Sequence, residues 1–140
     1  MFDVILVAVD GSEHGLHAAR VAGDLARAVT AKELLIVVAY EPVPGYVKEP
    51  NLSEAIATRK AQAQQILQQV QDIVGSIPAQ TTPQMVEGSI AEVILTLANT
   101  HRCDVIVMGS RGFGRLEEAV LGSNSQKVAS RAPCPVLIVR

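Results

Sequence analysis

The feature that most constrains the fold is an alternation of short apolar runs with longer amphipathic segments. The first run, VILVAV at residues 4–9, is continuous and rich in β-branched residues, which is typical of a strand buried on both faces. The other predicted strands and the predicted helices are residues 34–40, 82–87, 104–108 and 136–139, and residues 13–29, 53–74, 89–97 and 123–131. This order predicts one α/β domain over residues 1–140, a three-layer open parallel sheet with helices on both faces.

The ends of the helices carry recognisable signals. Ser12, Ser53 and Ser89 are predicted N-caps, because a serine hydroxyl accepts hydrogen bonds from the first free N–H groups of a helix. Gly75 is predicted to end the second helix. Before that helix, residues 41–50 contain three prolines and a glycine, and they predict an irregular connection of about twelve residues, the kind that often forms a lid or a binding loop.

Composition excludes several classes of protein. The formal net charge is −2, with 12 Lys and Arg scattered among 14 Asp and Glu, so a basic nucleic-acid-binding face is not expected. Only 3% of the residues are aromatic, which leaves few rings for stacking bases. No signal peptide and no apolar run of about 20 residues is evident, so the sequence predicts a soluble, cytoplasmic protein that does not enter a membrane.

The cysteines and histidines do not form a recognisable metal site. Cys103 and Cys134 are expected to be reduced, semi-buried thiols at the starts of neighbouring strands, with a redox contact as the alternative. His14 and His17 lie three residues apart on the first predicted helix, and we expect exposed histidines there rather than metal ligands.

The loop after the fourth predicted strand, GSRGFGRLEEAVLGS at residues 109–123, is rich in glycine. Gly109, Gly112 and Gly122 have no Cβ, so backbone N–H groups there can approach an anion closely. Ser123 begins the last predicted helix, whose free N–H groups and positive dipole end favour phosphate, and Arg111 adds charge-assisted hydrogen bonds. The loop therefore predicts a phosphate-binding site, although these glycines also fit turns and a helix cap alone.

Other motifs fit the chain poorly. There is no G-x-x-x-x-G-K-[ST] sequence, and a dinucleotide fingerprint would require glycine in place of Glu117. Asp10 follows the first strand and is either a turn residue or a ligand contact opposite Gly109. A phospho-accepting receiver domain would need an acidic cluster around Asp10, an aspartate after the third strand and a lysine after the fifth, and the chain has none of these.

The motif G-x2-G-x9-G-[ST], formed by Gly109, Gly112, Gly122 and Ser123, resembles the nucleotide-binding motif of universal stress proteins. The resemblance extends over nearly the whole chain, from the opening ILVAVDGSEHG to the ending PCPVLIVR. It implies an adenine nucleotide α-hydrolase-like fold with five strands in the order 3-2-1-4-5. It also implies the ATP-binding subgroup of the family, because every motif position is kept.

The resemblance further implies a set of nucleotide contacts. Asp10 would lie near the ribose and is a candidate Mg²⁺ contact through the nucleotide, and Asn124 departs from the apolar residue common in the family. The full implied set is Ala8, Val9, Asp10 and Val38 at the adenosine end, Met108 and Gly109 along the nucleotide, and Arg111, Gly112, Gly122, Ser123, Asn124 and Ser125 at the phosphates.

The first expected function is an ATP-binding regulatory or stress-response protein whose protein partner is unknown. No evident base stands near the loop to activate water, so slow or negligible hydrolysis is expected, and a slow ATPase is the second hypothesis. The third is a dimeric interaction protein that binds AMP or cyclic AMP. The apolar last strand would lie at a sheet edge, and the resemblance implies a homodimer that covers it.

Overall fold

The computed structural model describes residues 1–111 and 121–140. The elements follow one another as β1 (Val4–Val9), α1 (Glu13–Val29), β2 (Glu33–Tyr40), α2 (Asn51–Val74), β3 (Gln80–Glu87), α3 (Ile90–Thr100), β4 (Val105–Gly109), α4 (Ser123–Arg131) and β5 (Val136–Val139). All strand pairs are parallel, and the sheet has the predicted order β3-β2-β1-β4-β5. The predicted fold class, a single α/β domain with a five-stranded parallel sheet, is confirmed.

The sheet separates two apolar layers because successive strand residues point to opposite faces. Ile5, Val7 and Val9 of β1 pack with α1 and α2 on one face. Leu6 and the half-buried Ala8 pack with α3 and α4 on the other. The central strands are therefore buried on both sides, which explains why β1, β2 and β4 are continuous apolar runs. The polar β3 lies at the edge, as its composition predicted.

The helix boundaries confirm some of the predicted caps and correct others. Ser12 is the N-cap of α1, and its Oγ accepts a hydrogen bond from the Gly15 N–H at 3.2 Å. Ser53 does not cap α2: the helix begins earlier, at Asn51, and the Ser53 hydroxyl donates to the Glu49 carboxylate instead. The irregular connection is thus residues 41–50, shorter than predicted, and α3 runs three residues past its predicted end to Thr100.

The two cysteines are free thiols, as expected, with Cys103 buried and Cys134 half-buried. Burial raises the pKa of Cys103 to about 12 and also raises the pKa of Cys134. Because the thiolate is the reactive form of cysteine, both thiols are poor nucleophiles at neutral pH.

Within the two described ranges, no helix has both the length and the apolar character that a membrane crossing requires.

The buried centre of the sheet yields a test of stability. Ile106 is fully buried in β4, whereas Ile56 on α2 is 36% exposed. We expect Ile106→Ala to lower the free energy of unfolding by about 2–5 kcal/mol, since it leaves a cavity between the sheet and α3. Ile56→Ala removes the same atoms and should change stability by no more than about 0.5 kcal/mol. Urea unfolding at one fixed protein concentration measures both; equal losses would contradict this description of the core.

Candidate functional site

A cleft opens at the carboxyl edge of the sheet, on the face covered by α3 and α4. Ala8, Val37 and Met108 lie side by side in register on β1, β2 and β4, so their side chains project into the same layer. With Ile90 and Ile94 of α3 they form an apolar floor. The cleft opens to the solvent and lies between β1 and β4, where the strand order reverses.

The turn after β1 holds Asp10 at the mouth of this cleft. Gly11 has φ +84°, a conformation that favours glycine, and it turns the chain from β1 into α1. Asp10 Oδ1 accepts hydrogen bonds from both the backbone N–H of Ser12, at 2.9 Å, and the Ser12 hydroxyl. Oδ2 of Asp10 has no hydrogen bond to any residue of the two described ranges. One carboxylate oxygen therefore anchors the start of α1, and the other remains available to a ligand.

Gly109, the last residue of β4, lies against the first turn of α1. A Cβ built on Gly109 would lie 2.9 Å from both the carbonyl carbon and the Cβ of His14, and 3.0 Å from the Gly15 nitrogen. A Cβ on Gly15 would in turn lie 2.9 Å from Asp10 Oδ1. These contacts are closer than ordinary van der Waals contacts, so packing alone favours glycine at positions 109 and 15.

The start of α4 is fixed to the end of β4 by hydrogen bonds. The Gly122 N–H donates to the Ser110 carbonyl at 2.8 Å, and the buried Ser125 hydroxyl donates to the carbonyls of Gly109 and Ser110 at 2.8 and 3.1 Å. The first intrahelical bond runs from Gln126 to Gly122, and no side chain of the described residues caps the helix. The N–H groups of Ser123, Asn124 and Ser125 thus donate to no residue of ranges 1–111 and 121–140, and they lie at the positive end of the helix dipole.

His14 is part of this edge, which corrects the expectation of an exposed histidine. It is half-buried, its Nδ1 lies 2.7 Å from Ser110 Oγ, and its Nε2 lies 3.5 Å from Arg111 Nη2. Which ring nitrogen donates and which accepts depends on the tautomer of the imidazole. Both ring nitrogens of His14 thus face polar groups of the residues that follow β4.

His17 is exposed, as expected, and its Nδ1 lies 2.6 Å from the Arg140 backbone oxygen. In the part of the chain that the structure describes, no group of three or more His, Cys, Asp or Glu residues could hold a metal ion by itself.

The structure brings most of the sequence-predicted contacts together. Val38 is placed elsewhere: it is buried in the α1 and α2 layer and lines an adjoining groove with Asp10 and Tyr40. Gly122 and Ser123 lie at the start of α4, and Gly112 falls outside the described residues. The predicted residues that line the cleft are Ala8, Val9, Asp10, Met108, Gly109, Arg111, Asn124 and Ser125.

Five lining residues were not predicted: Gly15, Val37, Ala39, Ile90 and Ile94. The alternation of side chains along a strand could have predicted two of these residues. Since Ala8 faces the cleft, the alternation along β2 places Val37 and Ala39, rather than Val38, on the same side.

Comparison with known proteins identifies the class. The model of the universal stress protein family matches residues 1–140, so the chain belongs to that family. A universal stress protein of Thermus aquaticus is 45% identical over 140 residues, covering 100% of both chains. Universal stress protein YxiE of Bacillus subtilis is 34% identical over 148 residues and is also fully covered.

Solved structures of the same family have the same fold. Universal stress protein UspA from Lactobacillus plantarum superposes with a TM-score of 0.88 at 26% identity, covering 99% of this chain and 98% of that one. A crystal structure of a universal stress protein in complex with cAMP superposes with a TM-score of 0.75 at 28% identity, covering 99% of this chain and 97% of that one.

The contact between Gly109 and α1 can be tested with a single methyl group. We expect Gly109→Ala to destabilise the protein by about 1–3 kcal/mol, because backbone and Cβ atoms of α1 would have to move away. Gly45→Ala is the matched control, since a Cβ on Gly45 has nothing within 4 Å. Thermal unfolding of both variants measures the difference, and an unchanged midpoint for Gly109→Ala would show that α1 is not held against β4 as described.

Proposed function

We propose that the cleft binds an adenine nucleotide and that ATP is its physiological ligand. The observation that carries this proposal is the continuity of an apolar cleft with three free N–H groups at the start of α4. An apolar cleft suits a flat base, and a free helix N-terminus suits phosphate, so the arrangement matches both ends of a nucleotide. The cAMP complex of a 28% identical relative of the same fold supports an adenine compound here.

At the adenosine end, the base would lie against the apolar floor formed by Ala8, Val37 and Met108. The ribose would lie beside Asp10, whose Oδ2 has no partner within the described ranges and suits a hydroxyl donor. Val38 would contribute to binding only through its backbone or through the adjoining groove, because its side chain is 1% exposed in the other layer. This changes the expected base contact from Val38 to Val37 and Ala39.

At the phosphate end, the N–H groups of Ser123, Asn124 and Ser125 would donate hydrogen bonds to the phosphate oxygens, and Arg111 would lie beside them. The roles of two residues differ from those the family resemblance implied. The Gly122 N–H and the Ser125 hydroxyl are already bonded to backbone carbonyls, so these two groups would position the helix rather than bind phosphate. The remaining proposed contact, Gly112, lies in the segment that the structure does not describe.

Mg²⁺ would suit the same site if the ligand is ATP. Magnesium in nucleotide sites takes few protein ligands and is held largely by the phosphates and water. Asp10 offers one carboxylate oxygen for this purpose, and bound Mg²⁺ would offset the charge of the triphosphate.

We propose a regulatory role in the stress response rather than rapid catalysis. His14, the imidazole beside Arg111, has its nitrogens directed at Ser110 and Arg111 in the geometry above, so it is not positioned to activate water. Partners would instead sense occupancy of the site at residues 41–50, which follow β2, and at the glycine-rich sequence 109–123. If the purified protein releases several phosphates per second from ATP, it is an ATPase, and the proposed regulatory role is contradicted.

Cyclic AMP is the second candidate ligand, favoured by the relative solved in complex with it. It shares the adenosine end with ATP but carries a single phosphate, so it would use fewer of the free N–H groups of α4.

Narrowing the apolar cleft tests the proposed site. Ala39 is half-buried on the wall of the cleft. We expect Ala39→Leu to weaken ATP binding at least about tenfold, because losing the fit of the base removes on the order of 1.4 kcal/mol or more. Titration calorimetry with ATP, ADP, AMP and cAMP measures this and ranks the ligands.

Ala57→Leu is the matched control, because Ala57 lies on the exposed side of α2 and the change adds the same atoms. Binding of ATP that is equally tight in wild type, Ala39→Leu and Ala57→Leu would place the nucleotide outside this cleft. Strongest binding of cAMP would favour the second candidate ligand.

We also propose that the protein is a homodimer paired through β5. This strand is a sheet edge in the described structure, and Leu137 on it is 40% exposed. An apolar edge strand is prone to aggregation unless it is covered, and pairing across a two-fold axis covers it.

A charge at that edge tests the dimer. We expect Leu137→Lys to shift the protein toward the monomer in light scattering at micromolar concentration, since pairing would bury the ammonium group. Met85→Lys makes a similar change at the opposite edge, on β3, where the side chain is 37% exposed, and should leave the dimer intact. A wild-type monomer, or a dimer disrupted only by Met85→Lys, would reject pairing through β5.

A further inference from the structure

A basic groove lies beside the nucleotide cleft, on the outer side of α1. Three arginines, two histidines and one carboxylate line it, together with two apolar side chains and a glycine: Arg20, Arg111, Arg140, His14, His17, Glu13, Leu16, Ile73 and Gly11. The whole chain has a net charge of −2, with 12 Lys and Arg, so this concentration of arginine is a local exception. The groove is unlike the apolar cleft and calls for a ligand of opposite charge.

Three of the residues that line the groove lie on the first turns of α1. His14, His17 and Arg20 are spaced three residues apart, and a helix rises about 1.5 Å per residue, so they extend over roughly 9 Å. Arg140 is brought to this strip because its backbone oxygen lies 2.6 Å from His17 Nδ1. Arg111 is brought to it by the 3.5 Å approach of its Nη2 to His14 Nε2.

The charges at the far end of the groove are available to a ligand. Arg20 and Arg140 are both exposed, and neither makes an ion pair with any residue of ranges 1–111 and 121–140. Glu13 is the one acidic residue among the residues that line the groove, and it lies in the first turn of α1, where the helix dipole favours a negative charge. The charges of Arg20 and Arg140 are therefore not neutralised by an ion pair within the described ranges.

The groove and the cleft are contiguous. Arg111 lines both of them, and His14 on the groove side is the residue against which Gly109 of the cleft packs. Arg111 lines the cleft together with Asn124 and Ser125 of α4, so a phosphate chain held at the start of α4 would extend toward Arg111. From there the groove offers further positive charge at Arg20 and Arg140.

We propose that this groove binds the terminal phosphates of a nucleotide with three or more phosphates, so that affinity increases with the length of the phosphate chain. The inference rests on the proposed adenine-nucleotide site and identifies its ligand class more narrowly. It assigns Arg20 and Arg140 as residues that discriminate long phosphate chains from AMP and cAMP. They lie too far along α1 and β5 to line the cleft that receives the base.

The experiment compares AMP, ADP, ATP and adenosine 5′-tetraphosphate by titration calorimetry in low salt. The variants are Arg20→Gln, Arg140→Gln and their double substitution, and Lys60→Gln is the control because it removes an exposed charge from α2, away from the groove. We expect wild-type affinity to rise along the series. Each arginine substitution should cost roughly two- to fivefold in affinity for ATP and the tetraphosphate, the range of exposed charge pairs, and leave AMP binding unchanged.

The outcomes separate this inference from the proposed function. AMP binding with no gain for the longer nucleotides would overturn the groove assignment and leave the cleft in place. A gain that survives both arginine substitutions would assign the terminal phosphates to α4 and Arg111 alone, and would also overturn it. If no adenine nucleotide binds to the wild type at all, the proposed function fails, and the inference fails with it.

Discussion

The site depends on the close packing of the first turn of α1 against the last residue of β4. Gly109 and Gly15 allow this approach because neither carries a Cβ, and a methyl group at either position would meet atoms at 2.9 Å. The approach sets the position of three groups at once. Asp10 is held by Ser12 at the start of α1, His14 reaches Ser110, and Arg111 reaches His14. The polar groups of the cleft therefore take their positions from the packing of α1 against β4.

Much of the fold follows from the pattern of the sequence. The continuous apolar runs of β1, β2 and β4 predict strands buried on both faces, and the polar β3 predicts an edge, since only an edge strand tolerates such composition. The strand order came from the family resemblance, because local pattern does not determine which parallel strands are neighbours. The start of α2 was missed because Ser53 looks like an N-cap. In the structure its hydroxyl bonds to Glu49 instead, inside the first turn.

The candidate site was predictable in part, and the limits have physical reasons. The glycines and the predicted helix start indicate a candidate site at this edge of the sheet, so Asp10, Gly109 and Arg111 could be predicted from the sequence. Ile90 and Ile94 were not, because an isoleucine that lines a cleft and one that fills a core look alike in sequence. The environment of His14 depends on contacts with residues 96 and 97 positions away, Ser110 and Arg111, which no local pattern reveals.

The hydrogen bonds that join α4 to β4 have a consequence for the thermodynamics of association. The Gly122 N–H and the Ser125 hydroxyl bond to Ser110 and Gly109 within the protein itself, so the first turn of α4 has its direction set by the chain. A ligand that meets a rigid row of donors loses little free energy in ordering them. An anion that binds at the start of this helix would then meet a preformed site. Most of the entropy lost on binding would be that of the ligand.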